Sequence, residues 1–379
     1  MQLFDVYSLF DVVPAKAKGC RVWDEKGVEY LDLYGGHAVI SIGHSHPKYI
    51  QAITDQVNKI AFYSNSVINP LQSVLAKKIG ELSGYADYSF FVINSGAEAN
   101  ENCLKLASFA TGRKKVVAFR RSFHGRTSGA VAVTDNPKIN SPFNMQHEVC
   151  WAELNNLASV AQYVEKDDIA AVIIEGVQGC GGIHIPDAQF MKDLLALCHA
   201  HGTKLIVDEI QSGYGRTGKF FAHQHYGVKP DLISMAKGIA NGFPVGAVLI
   251  SPEFEAVKGM LGTTFGGNYL GMAAAIAVAD VYKEENLEQN AAQVGQYIID
   301  SLRAMPDNGR IKEIRGLGMM IGIEFDEPVS PIRQKLLYEH HIFTGVAGQN
   351  MVRILPPLCL SKAEADEFIK ALAEVLACK

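Results

Sequence analysis

At 379 residues the chain exceeds the usual single-domain size, which predicts two domains sharing one large core. Apolar residues at 48% and charged residues at 20% are ordinary for a soluble globular protein. The net charge of −5 excludes the basic footprint of a nucleic-acid binder, although a local pocket for small anions remains compatible with it.

The N-terminus carries Asp5 and Asp11 among its apolar residues and lacks the basic start of a signal peptide. Residues 21–23 and 28–31 flank the turn Asp24-Glu-Lys-Gly27 and predict a hairpin. This hairpin has no sheet of its own in the sequence and is expected to join the C-terminal part of the chain. Helices are predicted over 47–60, with Pro47 in the first turn, and from Pro70, with Asn69 as its cap.

From residue 88 onward, short apolar runs alternate with amphipathic helices. Strands are predicted at 90–93, 115–119, 170–174, 204–207, 232–235 and 245–250, with helices from Glu98 and over 189–199. Near-continuous β-branched runs suit strands buried on both faces, hence an α/β fold with a mostly parallel central sheet covered by helices. An Ala-rich helix over 269–283 follows; its apolar run at 272–279 stops at Asp280, far short of a membrane span. Helices over 287–304 and 332–340, strands near 311–325 and at 352–355, and a final helix predict a smaller α+β domain. The expected division is 1–45 packing with the small domain, 46–265 for the large domain, and 266–379 for linker helix and small domain. Seven scattered cysteines, Cys20, Cys103, Cys150, Cys180, Cys198, Cys359 and Cys378, contain no CxxC pair and are odd in number. That pattern supports neither a disulfide framework nor a metal site and fits a reducing, cytoplasmic setting.

Ligands of open α/β sheets sit at the carboxyl ends of strands, and four sites fall there. Asn94-Ser-Gly-Ala-Glu-Ala-Asn100 joins a strand to a helix, and its small residues and free amides suit a phosphate; an ordinary capped turn reads the same way. Asp208 and Glu209 end an apolar strand, where a carboxylate can face the ring nitrogen of a pyridine-type cofactor. Lys237, between Ala236 and Gly238, ends another; most lysines point into water, but a desolvated one becomes a neutral nucleophile fit for a Schiff base. Gly262-Thr-Thr-Phe-Gly-Gly-Asn268 is a second glycine-rich loop before a helix.

Gly213-Tyr-Gly215-Arg-Thr-Gly218 matches the dinucleotide fingerprint GxGxxG. It lies several residues past its strand, opens no helix, and Asp231 comes too early for the ~20-residue interval to the ribose-binding acid. It is read as a flexible loop, with an NAD-dependent dehydrogenase a distant alternative. A non-catalytic binding protein is a third, and leaves Lys237 without a role.

These sites, in this order, resemble the class III aminotransferases, fold type I pyridoxal-phosphate enzymes. The resemblance runs from Gly43-His-Ser-His-Pro47 to Arg353-Ile-Leu-Pro-Pro357 and rests also on Phe123-His-Gly-Arg-Thr127, Asp208-Glu-Ile-Gln211, Gly215-Arg-Thr-Gly218 and Thr263-Thr-Phe-Gly-Gly-Asn268. Within the class it is most similar to the N-acetylornithine/N-succinylornithine aminotransferases. The resemblance implies pyridoxal 5'-phosphate held by Ser95, Gly96 and Ala97, stacked by Phe123, paired with Asp208 and Gln211, and bonded to Lys237, which also shuttles the proton. It implies a homodimer with shared sites, in which Thr264 reaches the phosphate of the other subunit's cofactor. Arg126, with Thr263 beside it, would bind a substrate carboxylate, and Arg353 the α-carboxylate of glutamate; Glu175 and His37 would border the substrate. The implied reaction moves the ω-amino group of an N-acylated ornithine to 2-oxoglutarate in arginine biosynthesis. Ornithine, 4-aminobutyrate or another ω-amino acid are alternative donors, and no metal is implied.

Two departures stand out. Relatives read Glu-Pro-x-Gln-Gly-Glu where this chain reads Glu175-Gly-Val-Gln-Gly-Cys180. Their second glutamate pairs with the glutamate-binding arginine; Cys180 does not, so Arg353 is expected to stand open or to be shielded by another group. An open Arg353 would favour a succinylated over an acetylated donor. The second departure is His37 after Gly35-Gly36, where relatives carry an aliphatic residue or tyrosine; it is expected to read the acyl group.

Overall fold

The computed structural model describes residues 1–306 and 309–377, so Cys378 lies outside the described residues. A seven-stranded sheet carries the spatial order Ser89–Ile93, Gly246–Ile250, Leu232–Met235, Lys204–Asp208, Ile169–Glu175, Lys115–Phe119, Val149–Ala152. Six of these strands point the same way; Gly246–Ile250 is antiparallel to both its neighbours. Every residue of Ile169–Glu175 is buried, as the uninterrupted apolar run requires of a central strand covered on both faces. The edge strand Val149–Ala152 and the helix Leu157–Val164 are absent from the sequence expectations, because four residues on a sheet edge carry no alternation long enough to recognise.

The C-terminal part builds a four-stranded antiparallel sheet in the order Ile311–Leu317, Met320–Phe325, Met351–Ile354, Gly345–Ala347. The helices Leu287–Ala304, Ser330–Tyr338 and Lys362–Ala377 contribute Ile298, Leu336 and Phe368 to its core. One expectation is corrected at the N-terminus. Strands Pro14–Lys18, Arg21–Asp24 and Glu29–Asp32 do form a sheet, completed by Ile342–Phe343 pairing parallel to Glu29–Asp32. A contact supplied from more than 300 residues away leaves no mark in local sequence.

Helix ends follow their side chains. Asn69 Oδ1 accepts from Leu71 N at 3.1 Å to start Pro70–Ser83, and Gly84 ends it in the left-handed region. Pro47–Val57 stops short of residue 60, where Asn58 Nδ2 donates to Thr54 O and Gln56 Nε2 to Ile60 O, both at 2.8 Å. The reading of 213–218 as a flexible loop is also corrected. Residues 212–217 are buried, and Arg216 donates to the carbonyls of Met319 and Pro356. A Cβ at Gly215 would meet the Tyr282 ring at 2.5 Å, so its glycines serve packing.

Candidate active site

The Ser89–Ile93 strand feeds the helix Gly96–Thr111 through Asn94 and Ser95. Ser95 Oγ accepts from Glu98 N at 3.2 Å and donates to Glu98 Oε2 at 2.9 Å, while Asn94 N reaches the same carboxylate at 3.1 Å. This cap fixes the turn yet leaves the amides of Gly96 and Ala97, at the first helical positions, without intrahelical acceptors. A Cβ at Gly96 would come within 2.8 Å of the Ile210 side chain, so only glycine lets the turn sit this low over the sheet. These amides border a cavity of about 410 Å³, within the usual range for small-molecule sites.

Asp208 enters the same cavity from the end of Lys204–Asp208. Its Oδ2 accepts from Asn100 Nδ2 and His124 Nδ1, each at 2.8 Å, and its Oδ1 from Ile210 N at 2.9 Å. Asn100 is itself tied to His124 O at 2.7 Å and accepts from Ser234 Oγ at 2.6 Å, so three donors and a braced amide fix the carboxylate plane. His124 and Asn100 lay inside motifs quoted from the sequence without a role. The available signal for Asn100 was its spacing, one helical turn beyond Gly96 and so on the same face.

Lys237 follows Leu232–Met235 with φ of 46°, a left-handed conformation unusual for lysine and a form of local strain found at functional sites. It faces the same cavity, and its amine has no hydrogen bond or ion pair among the described residues. Burial pushes its pKa down, opposed by the neighbouring Cys180, Asp208 and Glu175 and reinforced by Arg353. The amine and the Asp208 carboxylate thus share one chamber.

Glu175 and Gln211 line it too. Glu175 Oε1 accepts from Phe123 N and Oε2 from Gly179 N, both at 3.0 Å, so this carboxyl straps the Phe123 turn to the Cys180 loop. Burial first, then Asp208, push its pKa up to about 7, against the pull of His124 and the two amides. Arg353, 3% exposed on Met351–Ile354, donates from Nε to Val346 O at 2.9 Å and from Nη1 to Gln211 Oε1 at 3.2 Å, with Cys180 Sγ at 4.0 Å. No carboxylate is paired with Arg353 among the described residues. Gln211 reaches this position because residue 179 is glycine, where a Cβ would overlap Gln211 Oε1 at 1.8 Å.

Arg126 lies on the exposed side of the cavity, and its guanidinium has no partner among the described residues. His37, exposed and with φ of 67°, sits 2.7 Å through Nε2 from Tyr34 Oη. Partial burial lowers its pKa, as do the charges of Arg353 and Lys237. Tyr34 was not anticipated; Arg353, Arg333 and Cys180 all act on its phenol. Thr263 and Thr264 are not brought into this chamber. Thr263 Oγ1 accepts from Asn94 Nδ2 at 3.3 Å and from Gly266 N at 3.0 Å and lines a neighbouring cleft, whereas Thr264 points to solvent.

The chamber fits pyridoxal phosphate on its own chemistry. Free amides at a helix start suit the phosphate, a braced carboxylate suits the ring nitrogen, and an unpaired amine suits the aldehyde. His124 Nε2, in the chamber wall, is buried with no hydrogen-bond partner among the described residues.

Comparison with known proteins agrees with this geometry. The family description "Aminotransferase class-III" matches residues 5–376. The chain is 41% identical over 378 residues to acetylornithine aminotransferase of Bacillus subtilis, covering 99% of this chain and 97% of that one. It is 38% identical to acetylornithine aminotransferase of Archaeoglobus fulgidus, covering 98% and 97%. The crystal structure of ornithine aminotransferase from Toxoplasma gondii superposes with a TM-score of 0.92 at 29% identity, covering 98% of this chain and 91% of that one. The chain therefore belongs to the class III aminotransferases and is a fold type I, pyridoxal-phosphate-dependent enzyme.

Proposed function

We propose that the protein transfers the ω-amino group of an N-acylated ornithine, N-acetylornithine first among them, to 2-oxoglutarate, releasing the semialdehyde and glutamate in arginine biosynthesis. The observation that carries this reading is one chamber holding Lys237 and Arg126, with a second arginine, Arg353, bonded to the chamber residue Gln211. Each arginine is suited to a carboxylate, and the relatives at 41% and 38% identity are named for acetylornithine.

When bound, pyridoxal phosphate supplies an electron sink that lets an amino group leave one carbon and join another. Gly96 and Ala97 amides, with Ser95 shaping the turn, hold its phosphate, and the Phe123 ring provides an aromatic face for stacking. Asp208, braced by Asn100 and His124, holds a proton on the ring nitrogen. Gln211 has its Oε1 committed to Arg353, so its Nε2 hydrogens remain for the phenolic oxygen. Lys237, with its pKa lowered by burial, takes and returns the proton at the reacting carbon. Glu175 acts on substrate position through the two walls that it straps. Arg126 receives the donor's carboxylate, Arg353 the α-carboxylate of glutamate, and His37 borders the acyl group.

Thr264 faces solvent near exposed Phe62 and Phe265, whose rings meet at 5.6 Å. A homodimer that buries this surface and lends Thr264 to the second cofactor phosphate accounts for both features. The expected setting is the cytoplasm, without nucleic-acid or membrane partners, and with the chain divided near residues 45 and 265. Among the described residues no helix is long and apolar enough to cross a membrane.

Initial rates with acetylornithine, succinylornithine, ornithine and 4-aminobutyrate, each with 2-oxoglutarate, test the reading. N-acylated donors should exceed the free amines in kcat/KM by ~10-fold or more, about one desolvated polar contact. A clear preference for ornithine or 4-aminobutyrate would overturn it.

A further inference from the structure

Two thiols remote in sequence meet away from the cofactor chamber. Cys20, 2% exposed at the start of Arg21–Asp24, and Cys359, half-buried in the loop before Lys362–Ala377, place their sulfurs 3.7 Å apart although 339 positions separate them. We propose that Cys20 and Cys359 form an oxidative modification site, a reversible disulfide closed by a peroxide. A disulfide needs about 2.05 Å between sulfurs, and these two already stand at contact distance.

The surroundings distinguish the roles of the two thiols. The hydrogen bond from Cys20 lowers the pKa of Cys359 and raises that of Cys20, while burial raises both. Cys359 is thus the more ionised and the more accessible, the two properties that select the attacking sulfur. Its sulfur attacks a peroxide oxygen, giving a sulfenic acid and one water. Cys20 then attacks that sulfur, forming the S–S bond and expelling a second water. Two electrons leave the thiol pair and reduce hydrogen peroxide to two waters.

Closure bears on the active site through a short chain of contacts. Leu358 N donates to Ser41 O at 2.7 Å, and Ser41 Oγ donates to Gly238 O at 2.7 Å, next to Lys237. Asn241 Oδ1 accepts from Ser41 N at 2.8 Å and from Ile42 N at 3.1 Å, and Asn241 Nδ2 donates to Gly43 O at 2.9 Å. A Cβ at Gly43 would meet Cys359 Sγ at 2.8 Å, so this turn and the thiol pair are packed against each other. The cross-link therefore staples together the two chain ends that buttress Lys237 from behind.

The test uses the holoenzyme, treated with hydrogen peroxide, alkylated, and digested without reductant for mass mapping. The expected result is one peptide pair joining residues 20 and 359 within one chain, reversed by dithiothreitol. The melting temperature should rise by roughly 5 °C, because the closed loop spans nearly the whole chain. Cys20→Ser and Cys359→Ser should each retain transaminase activity and lose both the cross-link and the thermal shift. Two free thiols after oxidation, overoxidation of Cys359 without a link, or a link between chains would each overturn the proposal.

Discussion

Gln211 Oε1 accepts from Arg353 Nη1 at 3.2 Å, and through this contact a neutral amide occupies the place of an acid beside a buried guanidinium. Arg353 is neither bare nor ion-paired: Val346 O and Gln211 hold it, and Cys180 stands at the limit of contact. A neutral partner orients the cation without cancelling its charge, so an incoming carboxylate displaces no competing anion. Gln211→Glu would install that anion, and Cys180→Glu would do so from the other side. Each is expected to raise KM for 2-oxoglutarate about 10-fold or more while KM for the amino donor changes far less. Equal changes in both constants would refute this account of Arg353.

The two arginines should separate by substrate. Arg353→Lys loses the planar fork that bonds a carboxylate in two places, so it should weaken 2-oxoglutarate and glutamate together. Arg126→Lys should act mainly on the acylated donor. Steady-state constants for both substrates in each variant decide the assignment.

Lys237→Ala removes the amine with no other base among the described residues positioned in its place. Turnover should fall ~10³-fold or more, together with the cofactor's absorbance near the visible edge. Lys237→Arg puts a fixed positive charge where a nucleophilic amine is needed, and should be equally inactive. A variant retaining substantial kcat would remove Lys237 from the centre of the chemistry.

Glu175 gives a pH signature. Burial raises its pKa from an ordinary 4.5 to about 7. Stability linked to its protonated form is therefore full below the unfolded value and is lost as pH climbs through about 7, by up to about 3 kcal/mol. Melting curves between about pH 5 and 8 should show the wild type losing ground to Glu175→Gln as pH rises. Parallel curves would mean that this carboxyl titrates normally.

Much of the site was legible because its residues end strands. Val207 and Met235 close apolar runs, so Asp208 and Lys237 stand out as polar residues at the ligand edge of a sheet. The phosphate turn was visible through the small residues of Asn94-Ser-Gly-Ala-Glu-Ala-Asn100 between a strand and a helix. What stayed hidden depends on tertiary contact. Asn100 and His124 converge on Asp208 from different elements, and Gln211 reaches Arg353 across 142 positions. The N-terminal sheet needed Ile342 and Phe343, and no periodicity near residue 20 announces a partner strand from the far end. The glycines at 213–218 misled for a related reason, since glycine marks close packing as readily as mobility.

Arg216 has a mechanical consequence. Its guanidinium grips the carbonyls of Met319 and Pro356, one from each strand-bearing stretch of the C-terminal part, while its own backbone belongs to the turn that follows Asp208. Any swing of that part against the central sheet must either pivot at Arg216 or break two buried bonds to a cation, each worth roughly 1.5–3 kcal/mol. The C-terminal part is thereby anchored to the turn that follows Asp208, close to the carboxylate that faces the cofactor's ring nitrogen.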